Sequence, residues 1–324
     1  MSDIQITSLS QYVEIISKLQ EDKYDFYFRG HSDKSYKIVP TIYRNHKLIF
    51  HEDKIVREAV LRNPEEFVGL RSNFEVLSKM QHFEFPTRLL DLTENPLVAL
   101  YFAISTNQRK DGSVIAFKIN KEIVKYYDSD TVSILSALIK ISTSKFKAFN
   151  EEFKRNILDN DREGLKIIKQ RLYKNSEQSV ITTVANYVAS KGIAQEVKKL
   201  LTDLFNQTTL IKYLSQEIRN EKPHFTSDID IFDFQNHIIY VRSKYDTKRI
   251  AAQQGSFLLF GIKEGDKLKH AQFEKKQIET TNYIVPFGSK KSLLQELAKF
   301  GISHERLFPE ITNSAKVIRS KFDK

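Results

Sequence analysis

Apolar residues recur at helical steps through Leu9, Tyr12, Val13, Ile16 and Leu19, which predicts a short amphipathic helix. The aromatic run Asp25-Phe26-Tyr27-Phe28 then predicts a strand. It stops abruptly at Arg29-Gly30-His31-Ser32, a pattern suited to a strand whose end opens into a site. Residues 36–44 read as an extended stretch or turn ended by Pro40, and residues 51–61 and 67–80 as helices. Thr93-Glu94-Asn95-Pro96 is a helix start with proline in the first turn, and Leu97, Ala99, Leu100, Tyr101 and Ala103 continue that helix. Residues 112–117 form the next core strand. From 121 to about 221 the pattern turns to long helices dense in Lys, Glu, Asn and Gln, chiefly 151–174 and 194–219. Strands resume at 238–241, 256–261 and 281–286, before a helix at 290–300. The expected fold class is α+β: a strand-rich core contributed by residues 1–120 and 225–324, with a helical insertion at 121–224.

Composition narrows the classes of function. At 324 residues and 37.8 kDa, with 40% hydrophobic and 28% charged residues, the chain has material for one elaborated domain or two ordinary ones. Cysteine is absent, which removes disulfides, thiolate nucleophiles and cysteine zinc sites and fits a reducing cytoplasm. The opening segment carries acids among its apolar positions, and no stretch approaches the ~18 apolar residues of a bilayer span, so neither an export signal nor a membrane partner is expected. The net charge of +10 favours polyanionic partners without naming one.

Chemistry concentrates in two places. The run Gln81-His82-Phe83-Glu84-Phe85-Pro86-Thr87-Arg88-Leu89-Leu90-Asp91-Leu92-Thr93 mixes polar and apolar side chains without a sustained period. Arg88 and Asp91, three apart, can pair internally to order a loop or contact a ligand. His82 fits a hydrogen-bonded core position as well as a catalytic one. Arg29 follows a run of aromatics, where burying it without an anionic partner is costly, and this favours a functional role. Other chemistries have less support. The histidines include no metal-binding pair, and neither a Walker-type phosphate loop nor a Gly-x-Ser-x-Gly elbow is present. Asp228-Ile229-Asp230 with Asp233 reads as a solvated strand edge or turn.

Phe28-Arg29-Gly30, the block from Gln81-His82 through Pro86-Thr87-Arg88-Leu89-Leu90-Asp91 to Tyr101-Phe102-Ala103, and Arg249-Ile250 with Gln253, Gly255 and Phe257 together resemble the FRG domain family. Gly301-Ile302-Ser303 with Leu307-Phe308-Pro309 looks like that family's usual ending. The resemblance touches residues 24–118 and 238–310 and implies a module associated with bacterial toxin and phage-defence settings. The three blocks are also similar, more weakly, to the landmarks of ADP-ribosyltransferases, with Arg29, Thr93 and its following helix, and Gln253 in the order those enzymes use.

This second resemblance implies a split mixed-sheet core that uses NAD as substrate. Arg29 would pair with phosphate or orient the nicotinamide ribose, and Gly30 would admit the backbone close to the ligand. Tyr27, Phe28 or Tyr36 would cover the nicotinamide ring, while His31 and Arg88 would contact ribose or phosphate. Thr93 would brace Arg29, His82 and Asp91 would serve in acid/base or positioning roles, and Gln253 would meet a ribose hydroxyl. One departure is plain: Gln253 and Gln254 stand where the usual transferase has a glutamate, and an amide supplies no negative charge, which leaves Asp91 as the best substitute. The expected function is an NAD-dependent ADP-ribosyltransferase-like toxin or defence effector, with RNA or DNA as target and an antitoxin or inhibitor protein as partner. The alternatives are a non-enzymatic module that senses a nucleotide or phage component, and an NAD glycohydrolase.

Overall fold

The computed structural model describes residues 4–174, 179–190, 192–226, 228–231, 237–263 and 266–310, with Arg319 and Phe322. Among the described residues ten strands run in chain order: β1 Ile4–Gln5, β2 Tyr24–His31, β3 Leu89–Thr93, β4 Gly112–Asn120, β5 Val124–Tyr126, β6 Ile238–Arg242, β7 Gly255–Phe260, β8 Ile262–Lys263, β9 Asp266–His270 and β10 Ile278–Val285. Eight of them make one mixed sheet in the order β1-β10-β4-β2-β3-β7-β6-β5, parallel only at its two outer pairs, and β8 and β9 form a small ribbon. The sheet therefore joins strands from both ends of the chain. Residues 121–224 contribute β5 to its edge and then the helices between Asp130 and Glu221.

Side chains alternate across each strand. Tyr27, Leu92, Ile115, Tyr240 and Leu258 share one face, while Phe28, Val114 and Ala116 face the helix Pro96–Ile104. That helix is apolar on every side and is buried accordingly, with Val98, Ala99, Leu100, Ala103 and Ile104 fully enclosed. Its approach to β2 explains Gly30. A Cβ there would lie 2.0 Å from the Ala99 carbonyl oxygen and 2.6 Å from the Ala103 nitrogen, so the glycine is required by helix packing and not by the close approach of a ligand.

The helices after β5 pack onto the sheet instead of standing apart. Phe146, Phe149, Phe153 and Phe205 belong to one hydrophobic cluster with Phe74, Leu77 and Met80 and with Leu89, Phe257 and Leu259 of the sheet. Two expected long helices are each broken in two. The first gives Thr143–Leu158 and Lys166–Lys174, separated at a polar turn where Asn160 Oδ1 accepts from the Arg162 N–H. The second gives Gln195–Asn206 and Thr209–Glu221, because the Thr208 hydroxyl donates to the Phe205 carbonyl and the Glu152 carboxylate accepts the Thr209 N–H at 3.0 Å, capping a new helix. Asp228 and Asp230 are exposed in irregular backbone, and Asp233 lies outside the described residues. Among the described residues no helix is long and apolar enough to cross a membrane.

Arg88 departs from its expected partner. It is completely buried, its Nε donates to Glu52 Oε1 at 2.8 Å, and its Nη1 donates to the Phe260 carbonyl at 3.0 Å. Lys267, also buried, adds a second cation 3.2 Å from Glu52 and donates to the Ile141 carbonyl. The pairing of Arg88 with Asp91 fails because the segment is extended. Three residues apart on a strand point to opposite faces, whereas the same spacing on a helix brings side chains together. Arg88→Ala is expected to lower stability by about 3–5 kcal/mol, since Glu52 would lose its principal partner inside the protein. Urea unfolding of the two proteins checks this.

Candidate functional site

β2 and β3 are neighbours in the sheet but share a single register pair, Phe28 with Thr93. β2 is otherwise zipped to β4 over its whole length, and β3 to β7. Past that pair the two halves of the sheet separate. Continuing the register would set Gly30 opposite Asp91, but the Asp91 carbonyl instead accepts a hydrogen bond from Arg29 Nη1 at 2.6 Å. A side chain has replaced a rung of the ladder, and the space it spans is the floor of a cleft of about 440 Å³.

Arg29 reaches the cleft already oriented. Its Nε donates to His31 Nε2 at 3.0 Å, so that ring nitrogen is unprotonated and the proton of the neutral imidazole sits on Nδ1. Nη1 also lies 3.5 Å from Asp91 Oδ2. Nη2 makes no hydrogen bond among the described residues, and the side chain keeps 18% of its surface exposed, so one edge of the guanidinium is open to a ligand. Asp91 is 54% exposed at its side chain; Gln81 Nε2 donates to its Oδ2 at 2.7 Å, and its Oδ1 accepts nothing among the described residues. Gln81 sits in the last turn of the helix Asn73–His82, which starts from a Ser72/Glu75 capping box.

The five residues proposed for catalysis, Arg29, His82, Asp91, Thr93 and Gln253, all line this cleft. His82 is half-buried; burial first, and the nearby Arg249 second, lower its proton affinity, so its ring is neutral at pH 7. Gln253 donates its Nε2 to the Leu307 carbonyl at 3.0 Å, which leaves Oε1 as an acceptor. Thr93 does not brace Arg29. Its hydroxyl donates to the Gln253 carbonyl at 2.7 Å and accepts from the Asn95 N–H at 3.0 Å, tying the helix Lys248–Gln253 to the end of β3. The bracing of Arg29 falls to the Asp91 backbone and to His31.

The residues proposed for the cofactor divide. Phe28, Arg29 and Gly30 line the cleft, and Arg29, Gly30, His31 and Tyr36 line its continuation on the far side of the guanidinium. Tyr27 does not, because it stacks on Tyr240 with centroids 3.7 Å apart. Arg88 does not, because it is sealed in the ion cluster with Glu52. Two cations given no site role from the sequence join the cleft walls: Arg44, and Arg249, which the sequence placed only in the third FRG-like block. Arg44 donates Nε to the Val39 carbonyl, and Arg249 lies 4.8 Å over the Phe308 ring. Neither has a carboxylate within 4 Å among the described residues. Arg249 stands four residues before Gln253, one helical turn, and that spacing could have flagged it; no local pattern marks Arg44.

Backbone strain gathers at the same place. Glu84, Asn107 and Gln254 are the non-glycine residues of positive φ among those described, at 62°, 49° and 47°. Glu84 lines the cleft, Gln254 follows Gln253, and Asn107 bonds Ser32 and Tyr36 in the adjoining lobe. Such residues persist where the surrounding structure holds them, commonly at binding sites. Among the described residues no group of three His, Asp or Glu side chains is placed to hold a metal ion.

His31 is almost completely buried, and burial together with the charges of Arg29 and Arg44 pushes its pKa down to about 4. The unfolded chain therefore takes up a proton near pH 6.5 that the folded protein refuses until about pH 4. Stability should fall as pH drops through this window, by at most about 1.4 kcal/mol per unit, and His31→Gln should flatten the slope. Urea midpoints at pH 7, 6 and 5 measure it.

No curated protein and no solved structure gives a significant match to this chain. A family model does: the model described as FRG domain matches residues 24–112, a little over a quarter of the chain, covering β2, the Gln81-to-Thr93 block and the start of β4, while the blocks at 249–257 and 301–309 lie beyond it.

Proposed function

We propose that the cleft binds NAD and breaks its nicotinamide–ribose bond, in a split mixed-sheet core similar to that of ADP-ribosyltransferases, with transfer to a nucleic-acid acceptor as the activity. The observation that carries this reading is the open edge of Arg29, held in the gap between β2 and β3 beside an accessible carboxylate. A dinucleotide presents a diphosphate, and a pre-oriented guanidinium fork meets phosphate oxygens with charge-assisted hydrogen bonds. Arg44 and Arg249 add positive charge to the same walls.

When the glycosidic bond breaks, nicotinamide leaves neutral with the bonding electron pair, and positive charge develops on the ribose carbon. Asp91, whose Oδ1 has no hydrogen bond among the described residues, would stabilise that charge in place of the glutamate for which this chain has Gln253. Gln253 Oε1 would accept from a ribose hydroxyl. The acceptor then forms the new bond to the ribose carbon, and its proton goes to the neutral imidazole of His82. The net charge of +10 supports an acceptor that is itself a polyanion. A toxin or phage-defence setting, with an inhibitor protein to restrain the activity, fits the FRG match.

The test is incubation with labelled NAD, alone and with RNA, DNA or protein extract. Labelled polymer is the expected result. Free nicotinamide without labelled polymer would make the protein a glycohydrolase, and intact NAD in every mixture would overturn the enzymatic reading in favour of a sensing module. Arg29→Ala and Asp91→Asn should each lower turnover about a hundredfold or more while retaining the native unfolding midpoint within a few degrees. A folded Arg29→Ala protein of full activity would remove Arg29 from the chemistry.

A further inference from the structure

Past Arg29 the cleft opens into a second lobe of about 650 Å³, within the size range of small-ligand pockets. Its wall carries Tyr36, a residue that is 51% exposed and yet held by its hydroxyl. The Tyr36 hydroxyl accepts from Asn107 Nδ2 at 2.9 Å, and the same amide reaches Ser32 Oγ at 2.9 Å. Beneath them the buried Lys290 ammonium donates to the carbonyls of Ser32, Thr106 and Asn107 at 2.8, 3.2 and 3.2 Å. The Ser32–Tyr36 segment, Thr106–Asn107 and the start of the helix Lys290–Lys299 are thus locked together behind the Tyr36 ring, which lines the lobe with the His31 ring set edge-to-face against it, centroids 5.9 Å apart. A ring immobilised in advance gives up little conformational freedom on binding, which is the property of a stacking platform. His304 also lines the lobe, its Nδ1 3.3 Å from the Tyr101 hydroxyl, and either group can serve as donor or acceptor toward a base edge.

Both lobes share Arg29 and Arg44. Arg29 has Nη2 free, and Arg44 spends only Nε, on the Val39 carbonyl, among the described residues. A stacking face beside two guanidinium groups with unused donors matches a nucleotide, which has one flat ring system and one phosphate.

We propose that the second lobe binds the purine base of an adenosine nucleotide, stacked on Tyr36, with its phosphate held by Arg29 and Arg44. This rests on the dinucleotide reading in one respect, that the same lobe then takes the adenylate half of NAD while the nicotinamide half lies in the first lobe beside Asp91. Tyr36 is the stacking residue, and Asn107 and Lys290 are positioning residues that act through it.

The experiment is calorimetric titration of the full chain with AMP, nicotinamide mononucleotide and NAD, using the wild type, Tyr36→Ala and Tyr36→Phe. The wild type should bind AMP by itself. Tyr36→Ala should weaken AMP and NAD by about tenfold or more and leave the mononucleotide within about twofold, while Tyr36→Phe, which keeps the ring, should stay within about threefold for all three. NAD and mononucleotide binding with no AMP binding, or with affinities indifferent to Tyr36→Ala, would overturn the lobe assignment and leave the dinucleotide reading standing. AMP binding that depends on Tyr36, without binding of NAD or mononucleotide, would support the lobe and overturn the dinucleotide reading. Equal weakening of all three by Tyr36→Ala, or no binding of any ligand by the folded wild type, would overturn the proposal.

Discussion

The structure depends on one junction in the middle of its sheet. β2 and β3 meet at Phe28 and Thr93 and nowhere else, and the next rung is formed by the Arg29 side chain reaching the Asp91 carbonyl. Where a ladder ends, a strand carbonyl takes its donor from water or from a side chain, and the Asp91 carbonyl, in an exposed bond, takes it from Arg29. The guanidinium thus stands where a strand N–H would have stood had the two strands stayed paired. The same substitution places a positive charge at the bottom of the gap that the divergence creates. Structural need and candidate chemistry are thus met by one residue, and what it retains for a ligand is the unused Nη2 edge.

Two sets of charges stand in different environments. Arg88, Glu52 and Lys267 are sealed from water and satisfied by one another and by backbone carbonyls, so they tie β3, the helix Glu52–Arg62 and the segment at Ile141 into one body. Among the described residues Arg29, Arg44 and Arg249 line the cleft with donors unused. An arginine whose nitrogens are consumed inside the protein orders the fold, and one with nitrogens left over at a concave surface can recognise an anion. Arg88 and Arg29 differ in this respect although both belong to runs that are mostly apolar.

Much of the fold was legible from local pattern. The strands at β2, β4, β6, β7 and β10 and the helices Pro96–Ile104 and Lys290–Lys299 follow from alternation, capping and proline placement, within a few residues at their ends. The splitting of the two long middle helices was harder to read, because it turns on Glu152 meeting the Thr209 N–H across 57 residues of chain and on a small Asx turn. Among candidate site residues, Arg29 stood out because a charge following aromatics is costly to hide. Tyr27 was misplaced for a packing reason: its ring is taken up by Tyr240, whereas Arg29, two residues on and of the same parity, reaches the cleft only because β2 and β3 part beside it.

Sequence alone determined the longer strands and the helices Pro96–Ile104 and Lys290–Lys299, and that an arginine, a glycine and a polar block had to be accommodated beside apolar neighbours, because those properties follow from near-neighbour sterics and from the cost of burying charge. Tertiary structure alone decided which partner each charge took. Arg88 found Glu52 and not Asp91, Thr93 found Gln253 and not Arg29, and Arg44 came to the cleft from a turn with no marking of its own. Partnership of this kind is set by where distant strands and helices come to rest, and the information for it is spread over the whole packing of the sheet.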